Sequence, residues 1–160
     1  MNHGNGKTIA VIGAGVMGHS LALIFALGGY TVRLCDLKDE ILESSIDLIR
    51  STLDTLVEFG RLSQNEIPET LGRIHPTRDL PGAVQDAGFV IEAVPEVPEI
   101  KKALFGKLNA LCSRDTILAS NTSGLDIFNI ADVDNPERLI ITHWFSPAYL
   151  IPLVEVVPGG

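Results

Sequence analysis

The chain is poor in cysteine, poor in positive charge and free of long apolar runs. Each shortage removes a class of protein. Only two cysteines occur, Cys35 and Cys112, far apart in 160 residues. That excludes a disulfide scaffold and reads as a pair of reduced thiols. Twelve Lys and Arg stand against twenty Asp and Glu, a net charge of −8. Such a chain repels phosphate backbones and anionic lipid, so no nucleic acid and no membrane is expected as a partner. No apolar run reaches the ~20 residues that a transmembrane helix needs. The opening Met-Asn-His-Gly-Asn-Gly-Lys carries no signal-peptide pattern, and a cytoplasmic location is expected. No repeat, low-complexity tract or Pro/Ser-rich linker divides the chain.

What is present suits one packed domain over residues 1–160, with 46% hydrophobic and 20% charged residues. Short β-branched runs alternate with helical patterns. Residues 8–12, 30–35, 89–94, 116–119, 139–142 and 153–157 read as strands, and 74–77 as a short one. Val16, Met17, Ser20, Leu21, Ile24 and Leu27 fall on one helical stripe, which Gly28 and Gly29 end. Leu42, Ile46, Ile49, Leu53, Leu56 and Val57 mark a longer helix closed by Gly60. Residues 63–71 predict a short helix with Ser63 as N-cap and Glu66 three residues on. Val97, Ile100, Ala103, Leu104, Leu108 and Leu111 mark another amphipathic helix, and 125–130 a short one. This alternation, with continuous apolar strands, predicts an α/β fold. It is a doubly wound, Rossmann-type, mostly parallel sheet with helices on both faces.

Gly13-Ala14-Gly15-Val16-Met17-Gly18 fits G-x-G-x-x-G. It follows a predicted strand and opens a predicted helix, and that context gives the motif its force. The first glycine allows a tight turn, the second lets a pyrophosphate approach the backbone, and the third lets helix and strand pack closely. The helix N-terminus at Val16 and Met17 offers free N–H groups and a partial positive charge to phosphates. Asp36 ends the next strand, 18 residues after the last glycine. Its carboxylate can accept both ribose hydroxyls of an adenosine and would repel a 2′-phosphate. No arginine follows it directly. The expected cofactor is therefore NAD rather than NADP.

Four further motifs follow in order: Ile91-Glu92-Ala93-Val94-Pro95-Glu96 with Lys101, Ser120-Asn121-Thr122-Ser123, His143-Trp144-Phe145-Ser146-Pro147, and Pro152-Leu153-Val154-Glu155-Val156-Val157. Over residues 6–157 the chain resembles the NAD-binding N-terminal domain of the L-3-hydroxyacyl-CoA dehydrogenase family. The superfamily also holds λ-crystallin/L-gulonate 3-dehydrogenase and carnitine dehydrogenase branches. The resemblance implies that His143 is the general acid/base and that Glu155 pairs with it. It implies that Ser123 contacts the substrate oxygen and the nicotinamide side. Glu96 and Lys101 match positions lining the nicotinamide end of the cofactor. The chemistry is consistent with these roles. Oxidising an alcohol needs a base for the hydroxyl proton, an imidazole suits it, and a carboxylate on the second nitrogen fixes the tautomer. Ser123 is also placed to cap the short helix after it. His3, His19 and His75 match no constellation and are expected on the surface or in loops. His19, in the first turn after the glycine loop, is close enough to approach a phosphate.

The sequence departs from the family in three places. Ser146 stands where the common His-Phe-Phe-Asn-Pro motif has asparagine, which implies a shorter reach to the cofactor or one through water. The long helix offers only Arg50 and Arg61 against Glu43, Asp47, Asp54 and Glu58, where the acyl-CoA branch carries lysines for the CoA phosphates. Residues 148–155 and 94–96 look closer to the gulonate-like branch, and 120–123 to the acyl-CoA branch. The resemblance thus implies NAD-dependent oxidation of a small-molecule substrate, an acyl-CoA or a free hydroxy acid. A turnover-deficient nucleotide-binding module is the third alternative. The resemblance implies that the family's helical C-terminal domain, which supplies a dimer interface, is absent from this chain. The full-length form is expected to be a homodimer, and the surface around 151–157 to lie uncovered.

Overall fold

The computed structural model describes residues 7–159. The opening residues read above for a signal pattern, His3 among them, lie outside the described residues. The elements run β1 (Thr8–Ile12), α1 (Val16–Leu27), β2 (Thr31–Cys35), α2 (Asp39–Glu58), α3 (Glu66–Gly72), β3 (Ile74–Thr77) and α4 (Leu80–Val84). They continue with β4 (Phe89–Glu92), α5 (Pro98–Leu111), β5 (Ile117–Ser120), α6 (Ile127–Ile130), β6 (Leu139–Trp144) and β7 (Val154–Pro158). The strands form one sheet in the order β3-β2-β1-β4-β5-β6-β7. All neighbours pair parallel except β6 and β7, which pair antiparallel.

The period of two along β1 feeds both faces. Ile9 and Val11 join a core with Leu21 and Leu23 of α1, Ile49 and Leu53 of α2 and Ile67 of α3. Ala10 and Ile12 join the opposite core with Val84 of α4, Phe105 and Leu108 of α5 and Ile127 of α6. Central strands covered twice need apolar residues on both faces, which is why they read as continuous runs. The strand order reverses direction between β1 and β4, and a crevice opens there at the carboxyl ends of the strands.

Several local expectations are corrected. The α1 stripe holds in part: Ser20 and Leu21 are buried and Met17 and Ile24 pack against the core, but Val16 is 74% exposed and Leu27 also faces solvent, while Ala22, Leu23 and Ala26 are buried outside it. Helix α1 is apolar nearly all round, and it packs on the sheet and on α2 and α3, so periodicity does not choose its inner face. In α5 the buried face runs through Lys101, Phe105 and Leu108. Leu104 packs against that core from the rim of a cleft, which Ile100 and Ala103, both exposed, also wall. Helix α3 starts at Glu66 rather than Ser63; the Glu66 carboxylate reaches back to the Ser63 N–H at 2.9 Å, yet turn residues separate the two. Helix α4 and a 3-10 turn at Pro136–Arg138 were not foreseen. Their short runs carry proline, which masks any period. His75 lies on edge strand β3, exposed.

Both thiols are free and buried. Burial, then the charges of Asp36 and Asp79, pushes the Cys35 thiol up to about 11. Burial also raises Cys112, against the pull of the Arg138 charge. Neither side chain is a nucleophile at neutral pH. No helix among the described residues is long and apolar enough to cross a membrane. Leu150, Ile151, Leu153, Val156 and Val157 are exposed along β7 and the loop before it, as expected of that surface.

One buried side chain ties α1 to the loop after β6. The Ser20 hydroxyl, 1% exposed, accepts the Ala148 N–H at 3.0 Å. Ser20→Ala strands that buried donor, a loss of about 1–3 kcal/mol. Urea denaturation should show a lower midpoint at unchanged slope. A midpoint equal to that of the parent chain would contradict the assignment.

Candidate active site

The three glycines of the loop are required for three different reasons. Gly13 adopts φ +100°, and a Cβ there would lie 2.6 Å from the Ala93 carbonyl oxygen. The end of β1 is thus pressed against the chain leaving β4. A Cβ on Gly18 would come within 1.7 Å of the Gly13 carbonyl oxygen, so Gly18 closes the helix onto the loop. A Cβ on Gly15 would meet nothing within 4 Å. Gly15 faces a cleft of about 1040 Å³, and only a ligand would come close to it. That is the pattern expected where a pyrophosphate rests on backbone N–H groups. The cleft is large enough for a dinucleotide.

Asp36, one residue beyond β2, turns its carboxylate back onto the same loop. Its Oδ2 accepts the Ala14 N–H at 2.8 Å, and its Oδ1 accepts the Lys38 N–H at 3.3 Å. The side chain is half-buried and lines the cleft, placed for a ribose at the far end from β6.

A buried ionic chain builds the other end. Glu92, the last residue of β4, is fully buried. Its Oε1 accepts Lys101 Nζ at 2.6 Å and the Val94 N–H at 2.8 Å, and its Oε2 accepts the Ser120 hydroxyl at 2.6 Å. Lys101 is 1% exposed and reaches Glu96 Oε2 at 3.1 Å as well. Glu96 in turn accepts the Thr122 hydroxyl and, at 3.1 Å, the Ser123 N–H. Partial burial pushes the Glu96 carboxyl up. The hydrogen bonds from Thr122 and Lys101, the Lys101 charge and the Ser123 N–H outweigh it, so the group titrates below its ordinary range.

His143 lies on β6, and the antiparallel register sets Glu155 of β7 directly opposite it. Side chains so paired share one face of the sheet. His143 Nδ1 stands 2.7 Å from Glu155 Oε2. Asn121 ties β5 to this strand, its Oδ1 accepting the Trp144 N–H at 3.0 Å. His143 and Ser123 line both the main cleft and a smaller neighbouring cavity of about 580 Å³, which Glu155 lines from the other side.

The cleft therefore gathers Gly13, Gly15, Val16, Met17, Asp36, Glu96, Lys101, Ser123, His143 and Ser146. Gly18 packs inside the loop, and Glu155 stands behind His143. Lys101 is buried among carboxylates, not solvated on its helix. Ser123 does not cap α6; Asp126 does, accepting the Asn129 N–H. His19 Nδ1 lies 3.0 Å from the Gly15 carbonyl oxygen and does not line the cleft. Sequence reasoning missed Glu92, Ser120, Asn121 and Thr122 as site-builders. Glu92 left one signal, an acid inside an apolar strand.

Two outcomes follow from this geometry. Gly15→Val should weaken dinucleotide binding at least about tenfold while the melting temperature moves little, because the new side chain fills ligand space. Gly18→Ala should lower the melting temperature by several degrees through backbone overlap. Calorimetric melts and binding titrations on both variants check this, and the reverse pattern would refute it. Glu96 supplies a pH dependence. An acid whose folded-state value lies below its ordinary 4.5 contributes stability above that pH. The contribution is lost as pH falls through the folded value. Urea midpoints on the acid side should fall less steeply in Glu96→Gln than in the parent chain.

Comparison with known proteins identifies the family of the chain. The family model described as "3-hydroxyacyl-CoA dehydrogenase, NAD binding domain" matches residues 8–160. The 3-hydroxyadipyl-CoA dehydrogenase of Escherichia coli K12 is 42% identical over 156 residues, covering 97% of this chain and 33% of the relative. The crystal structure of a 3-hydroxybutyryl-CoA dehydrogenase from E. coli K12 superposes with TM-score 0.89 at 41% identity, over 94% of this chain and 32% of that one. An (S)-3-hydroxybutyryl-CoA dehydrogenase from Ralstonia eutropha gives TM-score 0.90 at 26% identity, over 96% of this chain and 54% of that one. The chain thus spans about one third to one half of the length of these relatives. It belongs to the 3-hydroxyacyl-CoA dehydrogenase family and corresponds to that family's NAD-binding domain.

Proposed function

We propose that this chain, residues 1–160, supplies the cofactor domain and the acid/base pair of an enzyme that oxidises a 3-hydroxyacyl-CoA to the 3-ketoacyl-CoA. The observation that carries the reading is the place of His143, between the cofactor cleft and the second cavity, with Glu155 on its Nδ1. NAD, when bound, would accept the hydride. Gly13, Gly15 and Gly18 shape its phosphate cradle, with N–H groups at Val16 and Met17, and Asp36 accepts the ribose hydroxyls. Glu96 and Lys101 border its nicotinamide end, and Ser146 reaches it directly or through water. A His143 Nδ1–H donated to Glu155 leaves Nε2 as the base. Carbon 3 of the substrate loses a hydride, its hydroxyl loses a proton to Nε2, and a carbonyl forms. The Ser123 hydroxyl donates to the reacting oxygen. The smaller cavity would take the reacting part of the substrate.

The substrate names of the relatives support an acyl-CoA. One observation favours a free hydroxy acid: the exposed side of α2 carries Glu43, Asp47, Asp54 and Glu58, with Arg50 its single cation. CoA phosphates would find little counter-charge there. In our reading the full-length protein is cytoplasmic and a homodimer, without nucleic acid or membrane partners.

In the full-length enzyme, His143→Gln should lower kcat by about 10²–10⁴-fold, the usual worth of a general acid/base. A kcat close to that of the unsubstituted enzyme would remove His143 from the role. Turnover of 3-hydroxybutyryl-CoA well above that of 3-hydroxybutyrate, gulonate or carnitine is expected. The opposite ranking would select the free acid.

A further inference from the structure

We propose that Arg78 is a latent site for the 2′-phosphate of a phosphorylated dinucleotide, kept engaged by Asp39, which makes Asp39 a second determinant of cofactor choice beside Asp36. This rests on the reading of the cleft as a dinucleotide site. In the parallel pairing of β2 with β3, Cys35 lies opposite Thr77. The next residues, Asp36 and Arg78, leave the sheet side by side, and the Asp36 N–H donates to the Thr77 carbonyl at 3.3 Å. Asp36, Lys38 and Arg78 all line the cleft. The sequence shows no arginine directly after Asp36, but the fold delivers one from a neighbouring strand, 42 positions later in the chain.

Arg78 is engaged without being buried. Its guanidinium donates to Asp39 Oδ2 at 2.9 Å, and the two side chains are 60% and 61% exposed. Exposed pairs of this kind are weak and easily exchanged. A phosphate offers the guanidinium a stronger, bidentate partner. Around the ribose position the charges of Asp36 and Asp39 offset those of Lys38 and Arg78, and Asp79, next to Arg78 and close enough to act on Cys35, adds one more negative charge. A 2′-phosphate therefore meets no net attraction. Removal of Asp39 frees the Arg78 guanidinium and brings the rim to neutrality. Asp36 acts by touching the ribose, and Asp39 acts by occupying the arginine. Asp39 is also the first residue of α2, where an acid favours the helix dipole. That structural role would change melting temperature and leave cofactor preference alone.

Titrations of the chain with NADH and NADPH separate these roles. The quantity read is the ratio of the two dissociation constants in the parent chain, in Asp39→Asn, in Asp39→Ser and in Asp39→Asn combined with Arg78→Met. Asp39→Ser puts a small polar side chain at the first helical position, so a folding defect of Asp39→Asn does not end the test. Either Asp39 variant should shift the ratio toward NADPH by about three- to tenfold at low salt, and less at high salt. Adding Arg78→Met should return the ratio to the parent value. A ratio unmoved in both Asp39 variants overturns the proposal, as does a shift that survives loss of Arg78. Failure of the parent chain to bind NADH would instead overturn the dinucleotide reading and this inference with it.

Discussion

Lys101 carries a positive charge to a place that almost no water reaches, and Glu92 meets it there at 2.6 Å. Removing such ions from water costs several kcal/mol each, so the arrangement survives only if every group finds partners. It does: Ser120, the Val94 N–H and Glu96 complete the set. The consequence is positional. The network fastens the end of β4 to α5 and to the loop after β5. Ser123 hangs from that loop through its N–H on Glu96. Two residues earlier in the same run, Asn121 accepts the Trp144 N–H on β6, next to His143. A charge in the wrong kind of place thus sets the spacing between the serine and the histidine of the candidate site.

The opposite end of the cleft uses exclusion of atoms in place of charge. Gly13 and Gly18 let three backbone segments meet where no Cβ fits. Asp36 then locks the loop by accepting the Ala14 N–H, and the Gly13 N–H donates to the Cys35 carbonyl. The two ends obey different physics but share β4. Ala93 limits Gly13 from one side, and its neighbour Glu92 anchors the ionic chain. A shift of that strand end would disturb both ends of the cleft together.

Strands and their alternation with helices were legible because central strands, buried on both faces, read as unbroken apolar runs. The glycine loop and Asp36 were legible because backbone geometry dictates their spacing. The pairing of His143 with Glu155 was implied by family resemblance; its physical cause, an antiparallel register, came only with the structure. What stayed hidden involves tertiary contacts that no local period records. Lys101 beside Lys102 looks solvated until Glu92 is placed next to it. Ile100 looks like core until the cleft opens beside it. Arg78 has no visible link to Asp36 until β2 and β3 pair.

The single tryptophan of the chain, Trp144, lines the cleft and follows His143 directly. Its emission arises beside His143, and NADH bound within the cleft accepts its excitation energy. Titrating the chain with NADH while following this emission tests the central claim, that cofactor and acid/base pair share one site. Saturable one-to-one quenching that NAD reverses by competition is expected. Quenching that stays linear in NADH, or that NAD leaves untouched, would contradict it.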